Sequence, residues 1–172
     1  MELREYFKNI PKAAIAFSGG TDSVYLLYAA LKSGIDIQPY FVKTPFQPNF
    51  EMEDAKRAAC EMGVSLKILE ADHLSEKYIS DNPANRCYYC KKFIFKTIKK
   101  QSQSDGYTIL LDGSNASDNP DKRPGMKAAS ELFVRSPLLE CGINKDEIRL
   151  LSQKAGLFTW NKPCLLYTSR CV

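Results

Sequence analysis

Residues 13–23 constrain this chain more than any other stretch. The apolar run Ala13 to Phe17 ends in Ser18-Gly19-Gly20-Thr21-Asp22-Ser23, and Val24, Leu26, Leu27, Ala30 and Leu31 then recur at helical spacing until Gly34. A short apolar run, a glycine turn and a helix make the first half of a βαβ unit. The order repeats. Ile35 to Val42 reads as a second strand, Phe50 to Met62 as a helix closed by Gly63, and Val64 to Leu69 as a third strand. Two such right-handed crossovers make a parallel sheet. Tyr88 to Lys100 reads as a basic helix, Thr108 to Leu111 as a short buried strand, and Lys145 to Lys154 as a helix ended by Gly156. The expected fold class is α/β: three α/β/α layers around a mostly parallel sheet. There is no internal repeat and no low-complexity tract.

At roughly 150 residues per domain, 172 residues predict a single domain over 1–172, and 44% hydrophobic content suffices for one core. Twenty-four Lys plus Arg against twenty Asp plus Glu leave a net charge of +4. That balance suits a small anionic ligand and is too weak to mark a nucleic-acid partner. Every apolar run falls well short of the roughly 18 residues of a membrane span. The opening Met1-Glu2-Leu3-Arg4-Glu5 lacks the apolar stretch of a signal peptide. The expectation is a soluble, cytoplasmic protein with no membrane partner. In that setting six cysteines point to a metal, a cluster or catalytic thiols rather than to a disulfide scaffold.

Three groups of residues carry the chemistry. In the first loop, glycines let backbone approach a ligand and the N–H groups opening the helix face outward, so an anion belongs there. The Gly-Lys-Ser/Thr ending of a P-loop and the Gly-x-Gly-x-x-Gly dinucleotide fingerprint are both absent. An ordinary Gly-rich turn with a Ser or Thr cap is the plain alternative, and the strand-to-helix placement argues against it. The second group is Arg86-Cys87-Tyr88-Tyr89-Cys90-Lys91-Lys92. A Cys-x-x-Cys pair can chelate a metal or cluster or cycle as a dithiol, and its cationic neighbours favour thiolates. The only histidine, His73, has no motif around it; Cys164 and Cys171 are the candidates for a third ligand. Cys60 and Cys141 follow apolar patterns and are expected to be small core residues. The third group is the polar loop Asp112 to Gly125, at the C-terminal end of a strand where open parallel sheets bind ligands. Asp112 there is either a Mg²⁺ ligand or a turn cap. Arg123, Arg135 and Arg170 can each offer a planar fork to a phosphate or carboxylate. Trp160 and the Tyr88-Tyr89 pair are candidates for stacking on a base, with core packing the commoner role of aromatics.

Ser-Gly-Gly-x-Asp-Ser resembles the pyrophosphate-binding loop of the PP-loop ATP pyrophosphatases, whose fold is that of the adenine nucleotide alpha hydrolases. The resemblance implies that ATP is cleaved between its α- and β-phosphates. Gly19, Gly20 and Thr21 with the hydroxyls of Ser18 and Ser23 would hold pyrophosphate, and Asp22 would help hold Mg²⁺. Further segments narrow the likeness: Asn82-Pro83 before the cysteine motif, Asp112-Gly113-Ser114-Asn115-Ala116, Arg123-Pro124-Gly125 and Arg135-Ser136-Pro137-Leu138. Lys145-x-Glu147-Ile148-Arg149 and Gly156-Leu157-x-Thr159-Trp160-x-Lys162-Pro163 complete the series. In order they resemble the ATP-dependent sulfur transferases that thiolate the pyridinium precursor of the lactate racemase nickel-pincer cofactor.

That resemblance implies an adenylated carboxylate attacked by sulfur, giving a thiocarboxylate and AMP. Some members sacrifice a cysteine's sulfur. Others resemble enzymes in which three cysteines hold a 4Fe–4S cluster whose fourth iron carries exogenous hydrosulfide. The second pattern would use Cys87, Cys90 and Cys164, with Cys171 as the alternative third ligand. Gly113 would then belong to the ATP site, and Ser114, Asn115, Arg123, Arg135 and Arg170 to the substrate or its phosphate. Residues 157–172 would form a tail closing over the site. The implied partners are a nucleotide-like carboxylate, a sulfide donor and a second copy of the chain.

Three departures stand out. Cys164-Leu165-Leu166-Tyr167-Thr168-Ser169-Arg170 is two residues longer than the family's Cys-to-Arg spacing, and Asn115-Ala116-Ser117-Asp118 lacks one carboxylate of the family's Asn-Ala-Asp-Asp. The family also continues past its Ser-Arg segment, which leaves a minimal member or a site completed by partners as the two expectations. The competing readings are a tRNA thiolation enzyme, an amidating or ligating relative, and a nucleotide- or metal-binding module without catalysis.

Overall fold

A computed structural model of the protein describes residues 1–45, 47–72 and 85–163. Its sheet has four parallel strands in the order β3-β2-β1-β4, with β1 at Lys12–Ala16, β2 at Asp36–Lys43, β3 at Lys67–Glu70 and β4 at Leu110–Leu111. Lys12 to Ala16 pair with Asp36 to Tyr40, Tyr40 to Lys43 pair with Lys67 to Glu70, and Ala14 and Ile15 pair with Leu110 and Leu111. The helices are α1 Leu3–Phe7, α2 Thr21–Lys32, α3 Asn49–Glu61, α4 Arg86–Ser104, α5 Pro124–Glu131, α6 Pro137–Glu140 and α7 Lys145–Lys154.

The three layers follow from the period of two along a strand. Ala13, Ile15 and Phe17 of β1 point into one core with α1, α2, α3, α6 and α7; Ala14 points into the other, against Phe95 and Ile98 of α4 and Ala128 and Ala129 of α5. β2 divides the same way, with Ile37 and Phe41 on the first side and Tyr40 and Val42 on the second. A sheet covered on both faces needs near-continuous apolar strands, which is what the sequence displays.

Two expected strands are shorter than their apolar runs, because helix ends consume the residues. Val64 donates its N–H to Ala59 O at 3.0 Å, closing α3, so β3 begins only at Lys67. Tyr107 likewise donates to Ser102 O at 2.8 Å, which delays β4 to Leu110. Helices α1, α5 and α6 have no counterpart in the sequence-based reading. Cys60 is exposed, contrary to its expected core role: the inward line of α3 is Ala55, Ala58 and Ala59, and the next residue turns out to solvent. Cys141 is half-buried and packs against the first core, as expected. No helix among the described residues is long and apolar enough to cross a membrane.

Candidate active site

The loop after β1 is shaped by two requirements that only glycine meets. Gly19 has φ +74°, and a Cβ there would lie 2.8 Å from the Ala55 backbone N of α3. Beside it the two serines fold onto the loop. Ser18 Oγ lies 3.1 Å from Ser23 Oγ and accepts the Gly20 N–H at 3.3 Å, while Ser23 Oγ accepts the Ser18 N–H at 3.3 Å. Gly20 is the N-cap of α2 and brings no side-chain cap. The first N–H groups of a 12-residue helix therefore stay available, at the positive end of its dipole, for an anion.

The loop after β4 lies directly against this one. A Cβ on Gly113 would be 3.1 Å from Ser23 N and 3.3 Å from Asp22 Cβ. Asp112 is buried and accepts from Ser136 Oγ at 2.6 Å, Ser114 Oγ at 2.8 Å and Ser114 N at 3.3 Å. Of its two expected roles, this geometry is that of the turn cap. Asn115 is buried as well. Its N–H goes to Asp118 Oδ2 at 3.0 Å, and its side chain accepts the Ser117 N–H at 2.9 Å. Arg123 pairs with Asp118 at 2.7 Å, so it braces the loop. Ser117, where the family has a carboxylate, accepts the Lys145 N–H at 3.0 Å and ties the loop to α7.

Asp22 faces Lys145, whose Nζ lies 2.7 Å from Oδ1. Burial pushes its carboxyl above the ordinary aspartate value, Lys145 pulls it back, and the nearby Asp118 adds to the rise. On the other side of the loop, Lys162 donates to Gly19 O at 3.2 Å and pairs with Asp54 of α3. Thr21 Oγ1 donates to Thr159 O at 2.8 Å. Residues 159–162 are thus strapped to the glycine loop. The sequence-based site omitted Lys145 and Lys162; both stand in segments that carry the family resemblance, which was the available signal.

Other expected residues are placed elsewhere. Arg135 lies over the Tyr6 ring at 4.6 Å and pairs with Glu140 at 3.4 Å, and it is its neighbour Ser136 that reaches Asp112. The Tyr88 hydroxyl bonds to Glu131, Lys92 lies 3.0 Å from it, and Tyr88 meets Tyr89 edge-on at 5.0 Å. Trp160, within the strap, is 37% exposed. Cys87 and Cys90 share the first turn of α4, whose N-cap Asn85 supplies no side-chain cap and whose first turn holds no acid. Cys90 is in no disulfide, whereas Cys87 is disulfide-bonded and so departs from the expected thiolate. Among the described residues no three His, Cys, Asp or Glu side chains gather as a metal site. His73, Cys164, Arg170 and Cys171 lie outside the described residues.

No family model matches the chain. It is 34% identical over 157 residues to pyridinium-3,5-bisthiocarboxylic acid mononucleotide synthase of Lactiplantibacillus plantarum, covering 90% of this chain and 57% of that protein. Among solved structures, NMN synthetase from Francisella tularensis superposes with a TM-score of 0.71 at 14% identity, over 94% of this chain and 70% of that one. The U34-tRNA thiolase NcsA from Methanococcus maripaludis, solved with its 4Fe–4S cluster, superposes at 0.70 with 22% identity, over 94% and 62%. The chain has the fold of these PP-loop enzymes: the expected three-layer arrangement is the one observed, with the uncapped glycine loop at the carboxyl edge of the parallel sheet. This chain spans about three fifths of the length of the curated relatives it matches.

Proposed function

We propose that the protein is an ATP-dependent sulfur transferase that converts a carboxylate of a pyridinium biscarboxylate mononucleotide-like substrate to a thiocarboxylate. One observation carries this reading: an uncapped PP-loop helix stands in a chain 34% identical to a synthase whose named product is a bisthiocarboxylate. A substrate carboxylate oxygen attacks the α-phosphorus of ATP, the bond to the bridging oxygen breaks, and pyrophosphate leaves with its new charge facing the α2 N-terminus. Hydrosulfide then attacks the acyl carbon, AMP departs, and the sulfur's proton passes to solvent. Ser18, Gly19, Gly20, Thr21 and Ser23 hold pyrophosphate in this scheme, with Gly113 packed behind them. Ser114 and Asn115 shape the acceptor side, and Arg123, Arg135 and Arg170 are the cations assigned to the substrate.

Two groups are implied. Asp22 offers Mg²⁺ the hard carboxylate oxygen it prefers, with ATP phosphates supplying the rest of the shell. Cys87 and Cys90, three residues apart on one helix face, offer the soft thiolate pair of a chelate. With Cys164, or alternatively Cys171, and once Cys87 is reduced, they would hold a 4Fe–4S cluster, which when bound supplies a coordination site for hydrosulfide. In this reading residues 1–172 act as one unit in the cytoplasm, with 157–172 closing over the site and a second copy of the chain as partner.

The test is an anaerobic assay with ATP, Mg²⁺, sulfide and the pyridinium biscarboxylate mononucleotide, reading AMP by chromatography and oxygen-to-sulfur exchange by mass. AMP and thiocarboxylate in equal amounts are expected, and AMP without sulfur incorporation would reject sulfur transfer. The fold similarity to a U34-tRNA thiolase favours a second reading, so tRNA replaces the small molecule in a parallel arm. Thiolation confined to that arm would transfer the assignment.

A further inference from the structure

The PP-loop aspartate is paired with a lysine from the far end of the described chain. Lys145 Nζ lies 2.7 Å from Asp22 Oδ1, and among the described residues it is the one hydrogen-bond donor to that carboxylate. The pair sits at a rim: the two side chains keep 23% and 22% of their exposure, enough for both to exchange with solutes. Asp118, the other acid near Asp22, has its oxygens engaged by Arg123 and by the Asn115 N–H.

The backbone of Lys145 is pinned, and among the described residues its ammonium is held by Asp22 alone. It opens α7 next to the Asn144–Glu147 capping box, and its N–H is held by Ser117 Oγ at 3.0 Å. A four-carbon stem on a fixed anchor can swing its ammonium by several ångströms at little cost. Two cations on one carboxylate repel each other, and the phosphates of ATP bring the negative charge that relieves the repulsion.

We propose that Lys145 is an exchangeable counter-ion for Asp22: it holds the carboxylate in the empty site, yields it to Mg²⁺ entering with ATP, and turns its ammonium onto the phosphates. This rests on the reading of the loop as an ATP site and needs nothing of the sulfur chemistry. Lys145 then has opposite effects on its two ligands, because it competes with the metal in the free protein and assists the nucleotide in the complex.

The experiment uses the full chain with Mn²⁺ in place of Mg²⁺, read by electron paramagnetic resonance, and α,β-methylene ATP, which cannot be cleaved at the bond in question. Relative to wild type, Lys145→Met should bind Mn²⁺ about fivefold more tightly without nucleotide and bind the analogue about tenfold more weakly. The added Mn²⁺ affinity should vanish in Asp22→Asn/Lys145→Met, and Lys145→Arg should recover nucleotide binding. A purely structural lysine would weaken both ligands together. Unchanged or weaker Mn²⁺ binding in Lys145→Met overturns the proposal, as does a metal gain that survives loss of Asp22. Should the variant fail to fold, the Lys145 ammonium resonance of ¹⁵N-labelled wild type decides. It must shift on addition of Mg²⁺ with the analogue, and an unmoved resonance in a nucleotide-bound protein refutes the exchange. If no analogue binds at all, the ATP reading itself fails, which is a separate result from a bound analogue with an unmoved lysine.

Discussion

Two aspartates in this fold each hold a lysine at nearly the same distance, and they are opposites. Asp22 meets Lys145 at 2.7 Å on the carboxyl rim of the sheet; Asp105 meets Lys67 at 2.8 Å at the end of α4. Asp105 also receives Tyr40 Oη at 2.5 Å and Gln101 Nε2 at 3.1 Å. The hydrogen bonds from Lys67 and then Tyr40 hold its carboxyl below the ordinary aspartate value, whereas burial pushes that of Asp22 above it. The contrast teaches that an ion-pair distance does not report a role. The number of donors does: three lock a structural carboxylate in place, while a single one can be exchanged for a metal.

The largest effect that would break the comparison is on chemistry. Asp22→Asn should lower AMP formation by more than about a hundredfold, measured as pyrophosphate release, with the far-ultraviolet circular dichroism unchanged. Asp105→Asn should leave that rate within about twofold; a loss as large as that of Asp22→Asn would erase the distinction.

Gly113→Ala comes next. Its Cβ would press on the Ser23 backbone N at 3.1 Å and on Asp22, so a cost of about 1–3 kcal/mol in stability is expected, with weaker nucleotide binding. Denaturant titration with and without ATP separates the two losses. A variant as stable as wild type would show that the two loops are free to part.

The third effect is in pH. Because the folded-state pKa of Asp105 is lowered, its stabilisation is complete above the unfolded value, near 3.8, and fades as pH falls through the lower folded value. Asp105→Asn should therefore melt a few degrees below wild type at neutral pH, and the gap should narrow in acid. Asp22 has the opposite sign, since its raised pKa makes ionisation a cost to folding that grows as pH rises above 3.8. Thermal melts of both variants across pH should diverge in slope, and parallel curves would contradict the assignment.

The smallest effect is that of Lys67→Met. With 42% of its side chain exposed, Lys67 should contribute less than about 1 kcal/mol. A much larger loss in equilibrium unfolding would mean that Asp105 depends on charge rather than on donor number.

Local features were legible in the sequence, and distant pairings were not. Helix α7 matches its expected span at both ends because Asn144 and Glu147 write its capping box into four consecutive residues. The PP-loop was equally visible, since a glycine turn between an apolar run and a helical repeat has few other uses. β3 and β4 were misjudged in length because the chain gives no local sign of which N–H groups a helix end will claim. Lys145 and Asp22 are 123 positions apart, and Lys162 and Gly19 are 143 apart. Each lysine reads as surface charge until the fold supplies its partner. Arg135 is a further case: its contact with Tyr6 was not legible, because Tyr6 belongs to a helix the sequence did not announce.

The bond from Thr21 to Thr159 has a consequence for how the protein is made. It spans 138 positions, and the Lys162 contact to Gly19 spans more. During synthesis the glycine loop leaves the ribosome 138 residues ahead of Thr159 in its strap. A nascent chain can therefore build β1 and α2 early and still lack the finished glycine loop. On the ATP-site reading, a nucleotide can reward only a chain whose strap residues have already reached solvent.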